Sequence, residues 1–153
     1  MAFDNIGLVR RFTEEVWNKG NMAVCDELLS PKIKTHDPFL GELDGLDAAK
    51  RHIQAFRTAF PDFHVAIDDI GSIGDKVYVR WTATGTHKGS LMGVNPTNRK
   101  GINAGITLNR LENGKFVDTY YVWDVYKMIE QLGLLPPLQK VLTGAPVQAG
   151  ARM

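Results

Sequence analysis

The sequence predicts an α+β fold: a strongly curved antiparallel sheet wrapped around N-terminal helices, a cone-shaped α+β barrel with one open end. Three observations lead there. Apolar residues recur at spacings of three and four as far as Phe60, and from Phe63 onward they fall on every second position. Helices grouped ahead of strands, rather than alternating with them, make an α+β layer architecture. Glu112-Asn113-Gly114 joins the last two apolar runs as a hairpin, since Asn-Gly readily takes the positive φ angles of a tight turn.

Residues 3–19 predict a helix capped by Asp4, with Val9, Phe12 and Val16 on its buried face and Gly20 at its end. Asn21 opens a short second helix that buries Val24, Cys25, Leu28 and Leu29. Ser30-Pro31 closes it, because proline disfavours helix in the residue before it. Ile33 to Asp37 predicts a short strand, and Pro38 to Gly45 a loop. Residues 46–60 predict a third helix with Ala49, Ile53, Phe56 and Phe60 on one face, stopped by Pro61. Phe63, Val65 and Ile67 then alternate with His64, Ala66 and Asp68, and Gly74-Asp75 is a turn. A long strand from Val77 to His87 follows, then a polar loop at 93–101, then strands at Ile102–Leu111 and Phe116–Trp123. These four runs predict an antiparallel meander. A last helix at about 125–132 ends at Gly133. The expected organisation is one domain over residues 1–135 and a loosely held Pro-, Ala- and Gly-rich tail over 136–153. The open end of such a cone is a natural pocket for a small organic molecule.

Composition narrows the function. The 153 residues are 44% apolar and 23% charged, an ordinary globular mixture for one domain. With 18 basic and 17 acidic residues dispersed along the chain, the net charge is +1. No basic run offers a nucleic-acid footprint or a membrane-surface helix. The single cysteine, Cys25, allows neither an internal disulfide nor a CxxC zinc site. The start MAFDNIGLVRRF lacks a secretory pattern, and no segment approaches the roughly 18 apolar residues of a membrane span, so the cytoplasm is the expected compartment.

Four stretches, VWNKGNMAVCDELLSPKIKTHDPF, AAKRHIQAFRTAFPDF, VRWTATGTHKGSLMGVNPTNRK and LNRLENGKFVDTYYVWDVYKMIEQLG, cover most of residues 8–133. In their order and spacing the chain resembles the SnoaL-like polyketide cyclases of the nuclear transport factor 2-like superfamily. The resemblance implies a cone-shaped barrel, often a homodimer, with a deep pocket between the concave sheet face and the helices. It also implies an intramolecular aldol cyclisation that uses no metal and no organic cofactor, with an acidic residue on the last strand transferring protons. Gap-free matching places that aspartate at Tyr121 and a pocket histidine of the family at Thr107, so both groups are replaced here. The carboxylate that remains nearby is Asp124, in YVWD.

Cofactor-free carbonyl chemistry needs a general acid or base of tuned pKa and a donor for developing negative charge. The expected catalytic groups are Asp124, His36 and His87. Asp124 is either the acid–base carboxylate or the N-cap of the last helix. His36 and Asp37 end the first strand, where they either handle protons and orient substrate or serve a turn and the backbone. His87 ends the long strand on the parity of Trp81, near the pocket if Trp81 points inward, and otherwise in solvent or on a loop carbonyl. Asp37, Trp81, Asn103, Thr107, Tyr121 and Trp123 are the expected substrate-binding residues. Tyr121 and Trp123 share a parity; either Tyr121 donates a hydrogen bond to a carbonyl oxygen, or the two are a core aromatic pair. Asn103, Gly105 and Thr107 share a face, and an inward polar row there is costly unless wetted or bonded to ligand; otherwise Ile106 and Leu108 face inward. His52 and His64 read as surface residues, and Cys25 as inert packing. The four histidines show no HxH or HxxxH metal spacing, and no GxSxG, GxGxxG or Walker loop occurs. An inward Trp81 turns Arg80 outward and rules out the Asp-Arg-Asp set of the superfamily's epoxide hydrolases.

Two functions stay open at this point: an enzyme performing enolate-type cyclisation or isomerisation on a small apolar carbonyl compound, and a non-catalytic binding module of the same fold. Dimerisation through the outer sheet face is compatible with both.

Overall fold

The computed structural model describes residues 3–135 and 142–144. The expected tail from Pro136 therefore lies, apart from residues 142–144, outside the described residues. Helix α1 spans Asn5–Phe12 and is N-capped by Asp4, whose Oδ1 accepts from the Gly7 amide at 2.9 Å. It continues as a π-helical segment, Thr13–Asn18, whose wider turn brings Thr13, Val16 and Trp17 all to buried positions. Helix α2, Ala23–Leu28, buries Val24, Cys25 and Leu28, and burial pushes the Cys25 thiol up to about 11. Strand β1 (Leu29–Asp37) and strand β2 (Gly41–Asp44) then form a hairpin that leads into helix α3 (Leu46–Ala59).

Strands β3 (His64–Ile73), β4 (Lys76–Thr86), β5 (Lys100–Glu112) and β6 (Lys115–Trp123) form the expected meander, and helix α4 (Val125–Gln131) follows. Asn113 and Gly114 take φ of 50° and 77° at the β5–β6 turn, as the Asn-Gly pair predicts. The structure differs from the expectation in three ways. Leu29, expected on the second helix, opens β1, so Ser30-Pro31 lies within the strand and not between helix and strand. The loop at 38–45 contains β2, and the sheet has six strands in the order β2-β1-β6-β5-β4-β3, with β1 parallel to β6. The sheet is therefore mixed. The chain crosses through α3 and the meander before β6 comes back beside β1, and a crossover of that length permits a parallel pair.

The sheet curves around the N-terminal helices, aided by ladder irregularities at Ile67/Asp69 and Arg110/Leu111. Its inner face contributes Val77, Val79, Leu111 and Phe116 to one core with Val9, Phe12, Ile53 and Phe56 of the helices. Each such large side chain contributes roughly 1.5–3 kcal/mol by leaving water. The outer face carries Tyr78, Ile106, Leu108, Tyr120 and Val122, all exposed. The inner and outer sets alternate along each strand, so one register decides both surfaces.

Candidate functional site

The concave face does not close fully on the helices. A cavity of about 120 Å³ remains between β4, β5, β6 and the helices, lined mainly by aromatic and aliphatic side chains. All six expected substrate-binding residues, Asp37, Trp81, Asn103, Thr107, Tyr121 and Trp123, line it. The polar row on β5 faces inward and extends to Asn109. Trp81 donates from Nε1 to Thr107 Oγ1 at 2.8 Å, and Asn109 Oδ1 accepts from Thr119 Oγ1 at 3.1 Å. Most of the polar atoms that cannot reach water thus bond to one another, while Asn103 Oδ1 is buried without a partner.

The chemistry concentrates where β1 ends. The Asp37 side chain is 1% exposed. Its Oδ1 accepts from the amides of Phe39 and Leu40 at 2.8 and 2.9 Å, which shapes the turn into β2. Its Oδ2 accepts from His52 Nε2 at 3.1 Å and from Trp123 Nε1 at 3.0 Å. Burial alone would push this carboxyl up, but the hydrogen bonds from His52, the Leu40 amide and Trp123 together outweigh it and hold Asp37 below the usual carboxylate range. A buried carboxylate with four donors remains ionised at neutral pH.

His52 also lines the cavity and is 3% exposed. This corrects the reading of His52 as a surface residue. Helical spacing puts Ala48, His52 and Phe56 on one buried face of α3, beside the stripe of Ala49 and Ile53. The imidazole packs edge-on against Trp17 and Phe56 and lies 5.1 Å, centroid to centroid, from the Tyr121 ring. Tyr121 is half-buried on the cavity wall, and desolvation drives its phenol well above its ordinary pKa against the opposing effect of a hydrogen bond from Trp17. The phenol keeps its proton and is a donor. Because ionised Asp37 can only accept, the His52 hydrogen that faces it sits on Nε2.

The three expected catalytic residues stand off the cavity. Asp124 is exposed, and its Oδ1 accepts from the Lys127 amide at 2.9 Å as the N-cap of α4. Capping satisfies a helix-end donor, and that role sets its direction. His36 lies on the outer face: its ring stacks on Tyr120 at 3.8 Å, between Glu42 and Asp118, with Nε2 2.8 Å from Asp118. Adjacent strand residues point to opposite faces, so an inward Asp37 requires an outward His36. His87 is fully buried, but just past the end of β4, where Nδ1 accepts from the Thr97 amide at 3.2 Å and the ring packs on Phe60. Arg80 is outward beside Asp68, and the exposed His64 is as expected.

Burial holds the His87 imidazole below its ordinary pKa. A histidine depressed in the folded state contributes stability that is present above the unfolded value, about 6.5, and is lost as pH falls below it. Thermal unfolding followed from pH 7.5 downward should therefore show a decline starting near pH 6.5 that is blunted in His87→Gln. An identical decline in the variant would assign it to other groups.

Among the described residues no group of three or more His, Cys, Asp or Glu is arranged to hold a metal ion, and no helix is long and apolar enough to cross a membrane.

A family model of SnoaL-like polyketide cyclases matches residues 7–132. Among solved structures, a provisionally assigned SnoaL-like polyketide cyclase from Jannaschia sp. CCS1 superposes with a TM-score of 0.80 at 24% identity, over 87% of this chain and 93% of that one. That likeness concerns the fold. AclR from Streptomyces galilaeus, provisionally assigned as a hydroxylase, gives 0.79 at 26% identity, over 94% and 93%. IdmH from Streptomyces antibioticus, provisionally assigned as a polyketide cyclase, gives 0.73 at 26%, over 86% and 99%. No curated protein matches the chain.

Proposed function

The chain belongs to the SnoaL-like polyketide cyclase family, and we propose that it is an enzyme performing cofactor-independent acid–base chemistry, an aldol cyclisation or isomerisation, on a small apolar carbonyl compound. One observation carries this reading: the buried Asp37–His52 pair on the wall of a cavity lined mainly by apolar side chains. His52 Nδ1 takes a proton from the carbon next to a carbonyl, and the imidazolium that forms is stabilised by the ionised Asp37 on its far side. The Tyr121 hydroxyl donates to the enolate oxygen in a site where few other donors compete. Return of the proton from His52 to another carbon gives isomerisation. Attack of the enolate carbon on a second carbonyl of the same molecule, with the proton on His52 passing to the alkoxide oxygen formed there, gives ring closure and restores the base.

Hydrogen–deuterium exchange tests the first step without the natural substrate. Incubated with 2-tetralone in D₂O, the protein should accelerate exchange of the protons next to the carbonyl, and His52→Gln should lower that acceleration about 10²-fold or more. Equal exchange by both proteins would remove His52 from the chemistry.

A second reading, a non-catalytic binding module, is favoured by Tyr121 and Thr107 standing where the family's aspartate and histidine are expected. It requires ligands that raise thermal stability and are recovered unchanged by mass spectrometry.

We also propose that the outer sheet face pairs two copies. Ile106 lies opposite Val122, and Leu108 opposite Tyr120 and Tyr78, so their side chains form one continuous apolar patch. Val122 is 66% exposed in the single chain, and patches of this kind mark association surfaces. Sedimentation should give a dimer for the native protein and a monomer for Val122→Lys; a native monomer at micromolar concentration would refute the pairing.

A further inference from the structure

The geometry points to Trp81 as the residue that selects a planar ring in the ligand, an inference that rests on the reading of the cavity as a small-molecule site. Nearly every aromatic ring in the lining already touches another ring, as Phe12 touches Phe116, Phe56 touches Trp123, and Trp17 touches Phe63 and Tyr121. Among the described residues Trp81 is the exception: it lines the cavity without a ring neighbour.

Two features hold its indole in one orientation. Trp81 is directly opposite Gly105 in the β4–β5 ladder. A Cβ at Gly105 would lie 2.5 Å from Trp81 Cζ2 and 2.8 Å from Cη2, so the six-membered ring is seated on bare backbone where any other residue would push it away. At the opposite edge Nε1–H donates to Thr107 Oγ1 at 2.8 Å. One side of the indole is thus covered by β5, and the ring is pre-oriented as part of the cavity wall. A fixed aromatic face in a cavity wall attracts a flat π-system in offset or edge contact more than a puckered aliphatic ring of the same size.

The residues on either side add polarity. Asn103 donates from Nδ2 to the Asp124 carbonyl at 2.8 Å, which fixes its amide and leaves Oδ1 a buried acceptor without a partner. Thr107 already accepts from Trp81, so its own hydroxyl hydrogen remains for an acceptor. The ligand class that matches this wall is a planar ring system carrying a hydroxyl group toward Asn103 and a carbonyl or second hydroxyl toward Thr107.

The test compares 2-naphthol with decahydro-2-naphthol, which has the same carbon skeleton and hydroxyl but a puckered ring, by calorimetric titration and thermal shift. The native protein should bind 2-naphthol about three- to tenfold more tightly. In Trp81→Leu that preference should vanish while decahydro-2-naphthol still binds. Thr107→Val keeps the ring but removes its tether, and should reduce the preference without loss of fold. Equal affinity of the native protein for both alcohols, or a preference that survives in Trp81→Leu, leaves the ligand cavity standing and overturns the role of Trp81. Binding of neither probe overturns the small-molecule reading and this inference with it.

Discussion

Asp37→Asn is expected to reduce acid–base turnover by about two to four orders of magnitude while keeping the side chain's shape. The asparagine carbonyl can still accept from the Phe39 and Leu40 amides. Its NH₂ group then faces two donors, His52 Nε2–H and Trp123 Nε1–H, where Oδ2 accepted from both. The imidazole escapes that conflict by moving its proton to Nδ1, which removes the lone pair the chemistry needs, or by rotating away from the cavity. The conflict should also destabilise the fold by about 1–3 kcal/mol at neutral pH. Because the folded-state pKa of Asp37 is lowered, its contribution is present above the ordinary carboxyl value and is lost as pH falls below it, under about pH 4. The native protein and the variant should accordingly differ in stability at pH 7 and converge in acid. Exchange of 2-tetralone protons gives the first effect and urea unfolding at several pH values the second. Native-like exchange in the variant would separate Asp37 from the chemistry. A stability gap constant from pH 7 to pH 3 would mean that its charge does not matter to the fold.

Gly89→Ala is the substitution expected to damage the fold most for its size. Gly89 is not among the residues of positive φ, so the constraint is steric alone. A Cβ there would sit 2.1 Å from the Thr58 carbonyl oxygen and 3.0 Å from its carbon, both backbone atoms of α3 that cannot step aside. The close approach exists because the amides of Lys88 and Gly89 both donate to the Ala59 carbonyl, at 2.9 and 3.0 Å. Those bonds satisfy an acceptor at the C-terminal end of α3. An alanine must push the loop off the helix, releasing both bonds and unseating Phe60, which lines the cavity, from the buried His87. We expect a loss of about 2–4 kcal/mol and a fall in Tm of roughly 5–15 °C, measured by circular dichroism. A change below about 0.5 kcal/mol, the usual range for surface substitutions, would show that the loop can retreat freely.

The contrast between these two sites shows what sequence patterns convey. Local periodicity placed the helices, the β3–β6 meander and the Asn113-Gly114 turn, because each depends on neighbours a few residues apart. Strand parity likewise grouped Asn103 with Thr107 and set Arg80 opposite to Trp81, while the direction of each group, toward the cavity or away, came from the tertiary fold. Strand β2 escaped notice because GELD is four residues long, begins with glycine and buries little. The parallel β1–β6 pair depends on contacts between Thr35 and Thr119, far apart in the chain, which no local pattern encodes. Asp37 and His52 are 15 residues apart on a strand end and a helix, so their hydrogen bond follows from tertiary packing. A signal for His52 did exist: it lies four residues after Ala48 and four before Phe56, on the face a buried helix would hide. Parity also forbade His36 and Asp37 from sharing the pocket. For Asp124 the capping preference was the stronger local force, and His87 follows β4 past its last paired residue, where alternation no longer sets direction.

A crystal structure of the protein soaked with 2-tetralone would test most directly whether the Asp37–His52 pair serves chemistry inside the cavity. The ketone should lie within the hollow, its α-carbon against His52 Nδ1 and its oxygen toward the Tyr121 hydroxyl. Density for the ketone only outside the cavity, or inside it but screened from His52 by other side chains, would contradict the account.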